Sequence, residues 1–332
     1  MAIKCNKALV TGGAGFIGSE LVRQIVGKGI NVTVVDNLIN GKQENIEGLG
    51  PLLKFEIEDI RNTPRMEELM SGVDIVFHLA CLGVRHSIHS PKENHEVNAS
   101  ATLSLLETAR KAGIKRFVYV SSSEIYGTAK WVPMTEEHPA FPMTVYGASK
   151  LAGECYTRAY YKTYNYSTVV VRPFNSYGPR SHHEGDSGEV IPKFLLRCMA
   201  DMPMILFGDG KQTRDFTYVS DTAKGIFLAG ITEGIDGETI NIGNGNEISI
   251  GSLSEEIKEV LARPKGKIAY EIPRPGDVLR LYADTSKANK LLGFKPEISL
   301  NDGLSKLRDW YMRMGKPAQE LLQNEKVKNW EK

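Results

Sequence analysis

A surplus of charge of either sign is missing. Lys and Arg number 41 against 40 Asp and Glu, a formal net charge of +1. A general nucleic-acid binder carries a basic surplus, so that class is excluded; a local basic patch for a phosphorylated small molecule is not. Cysteine is scarce and scattered: Cys5, Cys81, Cys155 and Cys198, with no CxxC pair. That usage predicts free thiols in a reducing compartment. No apolar run approaches the roughly 18 residues needed to cross a bilayer. The opening residues Met1 to Lys7 are charged and lead straight into a short apolar run, so no secretory signal is expected. The expectation is a cytoplasmic protein with neither a membrane nor a nucleic acid as partner.

What is present is enough for a large core. The chain has 332 residues, 41% of them hydrophobic, which at about 150 residues per domain suggests two domains or one with an added lobe. A chain this long needs no disulfide or metal to fold. Short apolar, β-branched runs recur at Lys7 to Val10, Asn31 to Asp36, Leu52 to Ile60, Asp74 to Ala80, Arg116 to Ser122 and Val169 to Arg172. Runs of this kind are strands covered on both faces. Helical patterns lie between them at Gly18 to Lys28, Asn98 to Ala112 and Ala148 to Thr163. The alternation predicts an α/β fold with a doubly wound parallel sheet. After Arg172 turns multiply, as at Gly178-Pro179, Gly208-Asp209-Gly210 and Arg274-Pro275-Gly276. A smaller lobe is expected there, with a polar tail after Lys316 that is helical or frayed.

The first strand runs into Thr11-Gly12-Gly13-Ala14-Gly15-Phe16-Ile17-Gly18-Ser19. Gly12, Gly15 and Gly18, three apart, permit a tight turn, a close backbone approach to a pyrophosphate, and tight helix–strand packing. The helix that follows points its unpaired N–H groups at the phosphates. The second strand ends in Asp36, whose carboxylate can accept both ribose hydroxyls of an adenosine and would repel a 2′-phosphate. NAD is therefore favoured over NADP. Phe16 and Ile17 join the glycines as candidate cofactor contacts.

This spacing, Thr-Gly-x-x-Gly-x-x-Gly, resembles the extended branch of the short-chain dehydrogenase/reductase superfamily, and in particular its NAD-dependent nucleotide-sugar epimerases and dehydratases. Tyr146-Gly147-Ala148-Ser149-Lys150 resembles the family's YxxxK signature, and His78-Leu79-Ala80 its fourth-strand motif beside the cofactor. Asp59-Ile60 resembles the pair that contacts adenine, and Asp36-Asn37-Leu38 with Gly41 the adenosine loop. Arg172-Pro173-Phe174-Asn175 and Tyr177-Gly178-Pro179-Arg180 resemble the stretch that reaches nicotinamide and substrate. Gln212-Thr213-Arg214-Asp215-Phe216 and Pro275-Gly276-Asp277-Val278 resemble nucleotide-sugar contacts. The likeness spans about residues 5 to 312. It implies a Rossmann-type NAD-binding domain over 1–172, and over 173–332 a smaller, interleaved α/β lobe for a nucleotide-diphosphate sugar. Leu79, Ala80 and Asn98 complete the candidate cofactor set. The family habit is a homodimer, built on the helices around Asn98 to Ala112 and Ala148 to Thr163.

Tyr146 and Lys150 stand four apart and so share a helix face. An ammonium beside a phenol favours the phenolate, as does a positive nicotinamide ring, so the tyrosine pKa is expected to fall towards neutrality. Tyr146 can then act as base on a sugar hydroxyl while C4 yields hydride to NAD, and Lys150 is expected to hold the nicotinamide ribose. The strand Arg116 to Val120 ends in Ser121-Ser122-Ser123-Glu124, at the sheet edge where α/β folds bind ligands. Ser122 matches the catalytic Ser/Thr, Ser123 is an auxiliary, and Ser121 is expected to pack.

Glu124 departs from the epimerase pattern. Ser122-Ser123-Glu124 is closer to the Thr-Ser-Glu or Thr-Asp-Glu of sugar 4,6-dehydratases and UDP-glucuronate decarboxylases, where an extra base removes the C5 proton. Ser123 stands where a dehydratase prefers Asp. The adenosine loop and the C-terminal pattern Ala283-Asp284-x-Ser286-Lys287 lean towards epimerases, and Gly83-Val84-Arg85-His86-Ser87 towards uronate 4-epimerases. The expected activity is 4-epimerisation of a UDP-sugar through a 4-keto sugar. Dehydratase or decarboxylase is the alternative, and a non-catalytic NAD sensor a third.

Arg85, Asn175, Lys193, Arg214 and Arg280 are candidate substrate contacts, an arginine fork suiting two phosphate oxygens. His182-His183-Glu184-Gly185-Asp186 offers metal-ligand types, but adjacent histidines on an extended segment point apart and no second cluster completes a site. No metal is expected. That segment reads as a mobile substrate loop, and Cys81 as packing.

Overall fold

The computed structural model describes residues 2–185, 187–273, 278–328 and 330. The first half alternates as the sequence predicts: β1 (Lys7–Thr11), α1 (Phe16–Gly27), β2 (Asn31–Asp36), β3 (Leu53–Ile57), α2 (Thr63–Met70), β4 (Ile75–His78), α3 (Val84–His89), α4 (Pro91–His95), α5 (Ala101–Lys111), β5 (Arg116–Val120), α6 (Val145–Tyr164) and β6 (Thr168–Pro173). Buried β-branched and aromatic runs make the strands: every residue of β4, β5 and β6 is buried, as sheets covered on both faces require.

Seven parallel strands form the main sheet, in the order Thr239–Ile242, β6, β5, β4, β1, β2, β3. The order reverses between β1 and β4. Ligands bind beyond the strand carboxyl ends at such a switch point. Register brings those ends level: Thr11 pairs with His78, and Asp36 with Ile57. One core packs α1 and the helix Val219–Ile231 on one face of the sheet, and a second packs α2 and α5 on the other.

The chain does not divide at residue 172. After β6 it runs through β7 (Asn175–Tyr177) and α7 (Val190–Met199), then returns to the first unit. Helix α8 (Val219–Ile231) lies on α1, and Thr239–Ile242 adds the seventh strand beside β6. The remaining pieces form a lobe with its own core around Phe194, Leu206, Leu253 and Leu307. Among the described residues no helix is long and apolar enough to cross a membrane.

Candidate active site

A cleft of about 1450 Å³ runs between the strand ends and the second lobe. Its first arm is the glycine turn. Gly12 adopts φ +71°, and a Cβ there would stand 2.6 Å from the Ala80 amide nitrogen, so the turn closes on the end of β4 only without a side chain. A Cβ on Gly18 would stand 2.1 Å from the Gly12 carbonyl oxygen, which seats α1 against the turn. Gly15 is the N-cap of α1 and supplies no capping side chain. The first-turn amides, which have no intrahelical partner, therefore face a cleft also lined by Phe16 and Ile17. That is a cradle for an anionic diphosphate.

Asp36 is buried at the same arm. Its carboxylate accepts from the Ala14 amide at 3.0 Å and the Leu38 amide at 2.9 Å. Burial raises its pKa, and those amides oppose the shift. Asn37 donates to Asp59 at 3.0 Å, and Arg61 chelates the same carboxylate, holding its pKa at about 2. Asn37, Asp59, Ile60, Leu79 and Ala80 all line the cleft. His78 does not. It is buried between Thr11 Oγ1 at 2.7 Å and Thr102 Oγ1 at 2.9 Å, and burial lowers its pKa to about 3, so it is a neutral structural link.

The centre of the cleft lies where β5 ends and α6 begins. Thr144 caps α6 by accepting from the Gly147 amide at 3.0 Å. This fixes the first turn, which carries Tyr146, over Ser122, whose hydroxyl caps the short turn Ser123–Ile125 at 3.2 Å from the Glu124 amide. Ser122, Ser123, Glu124, Tyr146 and Lys150 all line the cleft. The half-buried Tyr146 has an enclosed hydroxyl turned towards the side chains of Ser122 and Cys81. Burial raises its pKa, the charges of Cys81 and Glu124 push the same way, and the Ser122 hydrogen bond opposes them.

Lys150 does not exert the expected pull on the phenol. Its ammonium donates to the Val120 carbonyl at 2.6 Å and lies 4.5 Å from the Tyr119 ring centroid. It is buried, and desolvation lowers its own pKa. With the lysine turned to the strand end, the protein alone holds Tyr146 neutral.

The cleft is also lined by Asn175, Gln212, Arg214, Phe207 and Trp330, and by Arg85 on α3. Asn175 keeps a buried Oδ1 with no hydrogen-bond partner among the described residues, an unmet acceptor in a ligand cleft. Arg214 Nη1 donates to the carbonyls of Thr213 at 2.8 Å and Val278 at 2.7 Å. Asp215 beside it accepts three backbone amides, from Asn244, Gly245 and Ala283.

Three expected contacts lie outside the cleft wall. Asn98 is buried and binds the backbone of Leu82 at 2.8 and 2.9 Å and Ser149 Oγ at 3.1 Å, bracing the loop after β4. Lys193 donates to the Lys326 carbonyl at 2.7 Å. Arg280 pairs with Glu247 at the surface. Residues 275–277 of the Pro-Gly-Asp-Val stretch lie outside the described residues, as does Asp186.

The segment expected to be a mobile loop makes contacts with the rest of the chain. Glu184 pairs with Lys42 at 2.6 Å, and Arg180 reaches Ser19 at 3.0 Å and Glu20 at 2.5 Å. Among the described residues no cluster of three metal-ligating side chains forms. Sequence reasoning set aside Cys81 and Ser121 as packing. Both line the cleft, and the Ser121 hydroxyl is buried without a partner among the described residues. The signal was their place at the carboxyl ends of β4 and β5. It missed Glu189 and Trp330 altogether.

A tyrosine and a lysine one turn apart, over a serine at a strand end and beside a dinucleotide cradle, define a short-chain dehydrogenase/reductase. The sequence family described as GDP-mannose 4,6 dehydratase matches residues 9–307. A putative UDP-glucose 4-epimerase of Methanocaldococcus jannaschii is 38% identical over 91% of this chain and 97% of its own length. UDP-glucuronic acid decarboxylase 1 of Arabidopsis thaliana is 34% identical over 91% of this chain and 68% of its own. The crystal structure of the dTDP-glucose 4,6-dehydratase DesIV from Streptomyces venezuelae, with NAD bound, superposes with a TM-score of 0.85 at 33% identity, over 92% of this chain and 97% of that one. The chain belongs to the extended short-chain dehydrogenase/reductase family of NAD-dependent nucleotide-sugar epimerases and dehydratases.

Proposed function

We propose that the protein is an NAD-dependent 4-epimerase of a UDP-sugar, working through a transient 4-keto sugar. The observation that carries this reading is the meeting of the Tyr146 and Ser122 hydroxyls inside the cleft, with Lys150 buried one turn behind. The glycine turn and the first amides of α1 suit the cofactor pyrophosphate. Asp36 suits the adenosine ribose, and Asn37, Asp59 and Ile60 the adenine. When bound, NAD supplies a hydride acceptor for C4 of the sugar and returns the same hydride.

With the positive nicotinamide ring of bound NAD favouring the phenolate, Tyr146 Oη would take the proton of the C4 hydroxyl as that carbon is oxidised, and give it back when the ketone is reduced. Ser122 donates a hydrogen bond to the same sugar oxygen. Lys150, whose ammonium stands at the Val120 carbonyl, would hold the nicotinamide ribose. Epimerisation needs hydride to return to the opposite face, so the sugar must turn over while its nucleotide stays held. Arg214 and the unmet acceptor of Asn175 suit that distal hold. The dimer expected from family habit would use the exposed apolar side chains Leu103 on α5 and Tyr164 on α6. Sedimentation at micromolar concentration tests it, and a monomer would exclude it.

Glu124 favours one second reading. It lines the cleft and its charge acts on Tyr146, where a 4,6-dehydratase or a decarboxylase would need a further base. Incubation with UDP-glucose, UDP-glucuronate, UDP-N-acetylglucosamine and dTDP-glucose, without added NAD, separates the two by NMR and mass spectrometry. Unchanged mass with inverted C4 is expected. Loss of water or of carbon dioxide would replace the epimerase reading.

A further inference from the structure

The chain beyond residue 307 lies outside the matched family span, and it does not trail away. The short helix Ala318–Leu321 packs on α7, with Ala318 and Leu322 buried in the second-lobe core. Beyond it Glu325 pairs with Arg197 of α7 through two contacts, Nε to Oε1 at 3.0 Å and Nη2 to Oε2 at 2.9 Å, with both side chains 7% exposed. Lys193 donates to the Lys326 carbonyl at 2.7 Å, and the Gly185 amide to the Asn324 carbonyl at 2.8 Å. A buried bidentate ion pair with flanking hydrogen bonds is a fixed attachment, whereas chain ends left untied fray.

The attachment delivers Trp330 to the cleft. Its indole lines the wall with Ile205, Phe207 and Gln212, edge-on to Phe207 with ring centroids 4.9 Å apart and planes at 80°. The wall stands beside Arg214: Gln212, two residues before it, donates to the Phe207 carbonyl at 2.8 Å. A substrate whose sugar meets Tyr146 and whose diphosphate meets Arg214 has only its nucleoside left to place there. An indole is flat, rigid and polarisable, and stacks on any heterocyclic base.

We propose that the C-terminal strap completes the substrate site, with Trp330 forming the wall on which the nucleobase of the nucleoside diphosphate stacks. This rests on the nucleotide-sugar reading above. It makes a segment outside the matched family span a determinant of substrate affinity, anchored by Glu325 on Arg197.

The test is equilibrium binding of UDP, without a sugar, to the protein carrying its bound NAD. Trp330→Ala should weaken UDP binding about tenfold, with thermal midpoint and NAD content unchanged. Trp330→Phe should recover most of the affinity, and Trp330→Leu should not. Glu325→Gln, which loosens the anchor but keeps the indole, should weaken binding in the same direction. In a Trp131→Phe, Trp310→Phe background, UDP should quench the remaining indole fluorescence. Wild-type affinity in Trp330→Ala, or no quenching, overturns the wall while leaving the nucleotide-sugar reading intact. A wild-type protein that binds none of UDP, dTDP and GDP overturns both.

Discussion

Arg172 and Glu154 are joined by two hydrogen bonds, Nε to Oε1 at 2.9 Å and Nη2 to Oε2 at 2.7 Å, and both residues are buried. The pair ties β6 to α6, the helix of Tyr146 and Lys150. The remaining guanidinium nitrogen donates to Tyr126 Oη at 2.8 Å, and Tyr126 donates to Asn241 at 2.7 Å. One buried arginine thus links the helix of Tyr146 and Lys150, the turn after Ser122 and the seventh strand. Removing the carboxylate alone leaves a buried cation without its counter-charge. Glu154→Ala should lose about 3–5 kcal/mol of unfolding free energy, read by urea denaturation. A loss of less than about 1 kcal/mol would mean that the arginine does not depend on this partner.

Tyr146 carries the proposed proton transfer. Tyr146→Phe removes only the hydroxyl, so turnover should fall about a hundred- to ten-thousand-fold while NAD stays bound. The cradle of Gly12, Gly15 and Asp36 is built without the phenol. NAD released on denaturation, set beside the rate, checks both halves. A fully active variant would remove Tyr146 from the reaction.

Much of this was legible because it is local. The Gly12-Gly15-Gly18 turn, the strand Asn31–Asp36 and the Tyr146–Lys150 spacing are set by backbone sterics and helix periodicity, which act over a few residues. What was not legible is long-range. The apolar runs Val219–Ile231 and Thr239–Ile242 carry ordinary patterns, and nothing local says that they return to the first sheet. Asn98 reads as a polar residue opening a helix; only the fold turns it towards Leu82 and Ser149. Lys193 donates to the Lys326 carbonyl, 133 residues away, a partner that no local pattern announces. The chemistry of Tyr146 shows the same divide: residue spacing puts Lys150 on its face, but only the structure shows the ammonium spent on Val120.

Glu124 decides between the two reactions. Its charge raises the phenol pKa, so Glu124→Ala should move the alkaline-side activation of turnover to lower pH. For an epimerase the maximal rate should change only a few-fold, because no second proton has to leave the sugar. A drop of about a hundredfold or more, with loss of water or carbon dioxide as the wild-type product, would assign Glu124 as the base of a dehydratase or decarboxylase.

Glu189 caps α7 at the cleft wall without a side-chain capping bond. Its amide donates to the His182 carbonyl at 2.9 Å and its own carbonyl accepts from the Lys193 amide at 3.2 Å. The carboxyl has neither a hydrogen-bond nor an ion partner among the described residues, and burial pushes its pKa from 4.5 up to about 8. Between those values the folded protein keeps a proton that the unfolded chain has released, so unfolding free energy declines as pH rises through that window and levels off above it. Glu189→Gln lacks this slope, and its thermal midpoint should gain on the wild type from roughly pH 5 to roughly pH 9. The same ionisation places a negative charge beside a cleft read as holding a diphosphate. The wild-type KM for a UDP-sugar should therefore rise above about pH 8, and that of Glu189→Gln should not. Parallel pH profiles for the two proteins, in stability and in KM, would show that Glu189 is already ionised in the folded state.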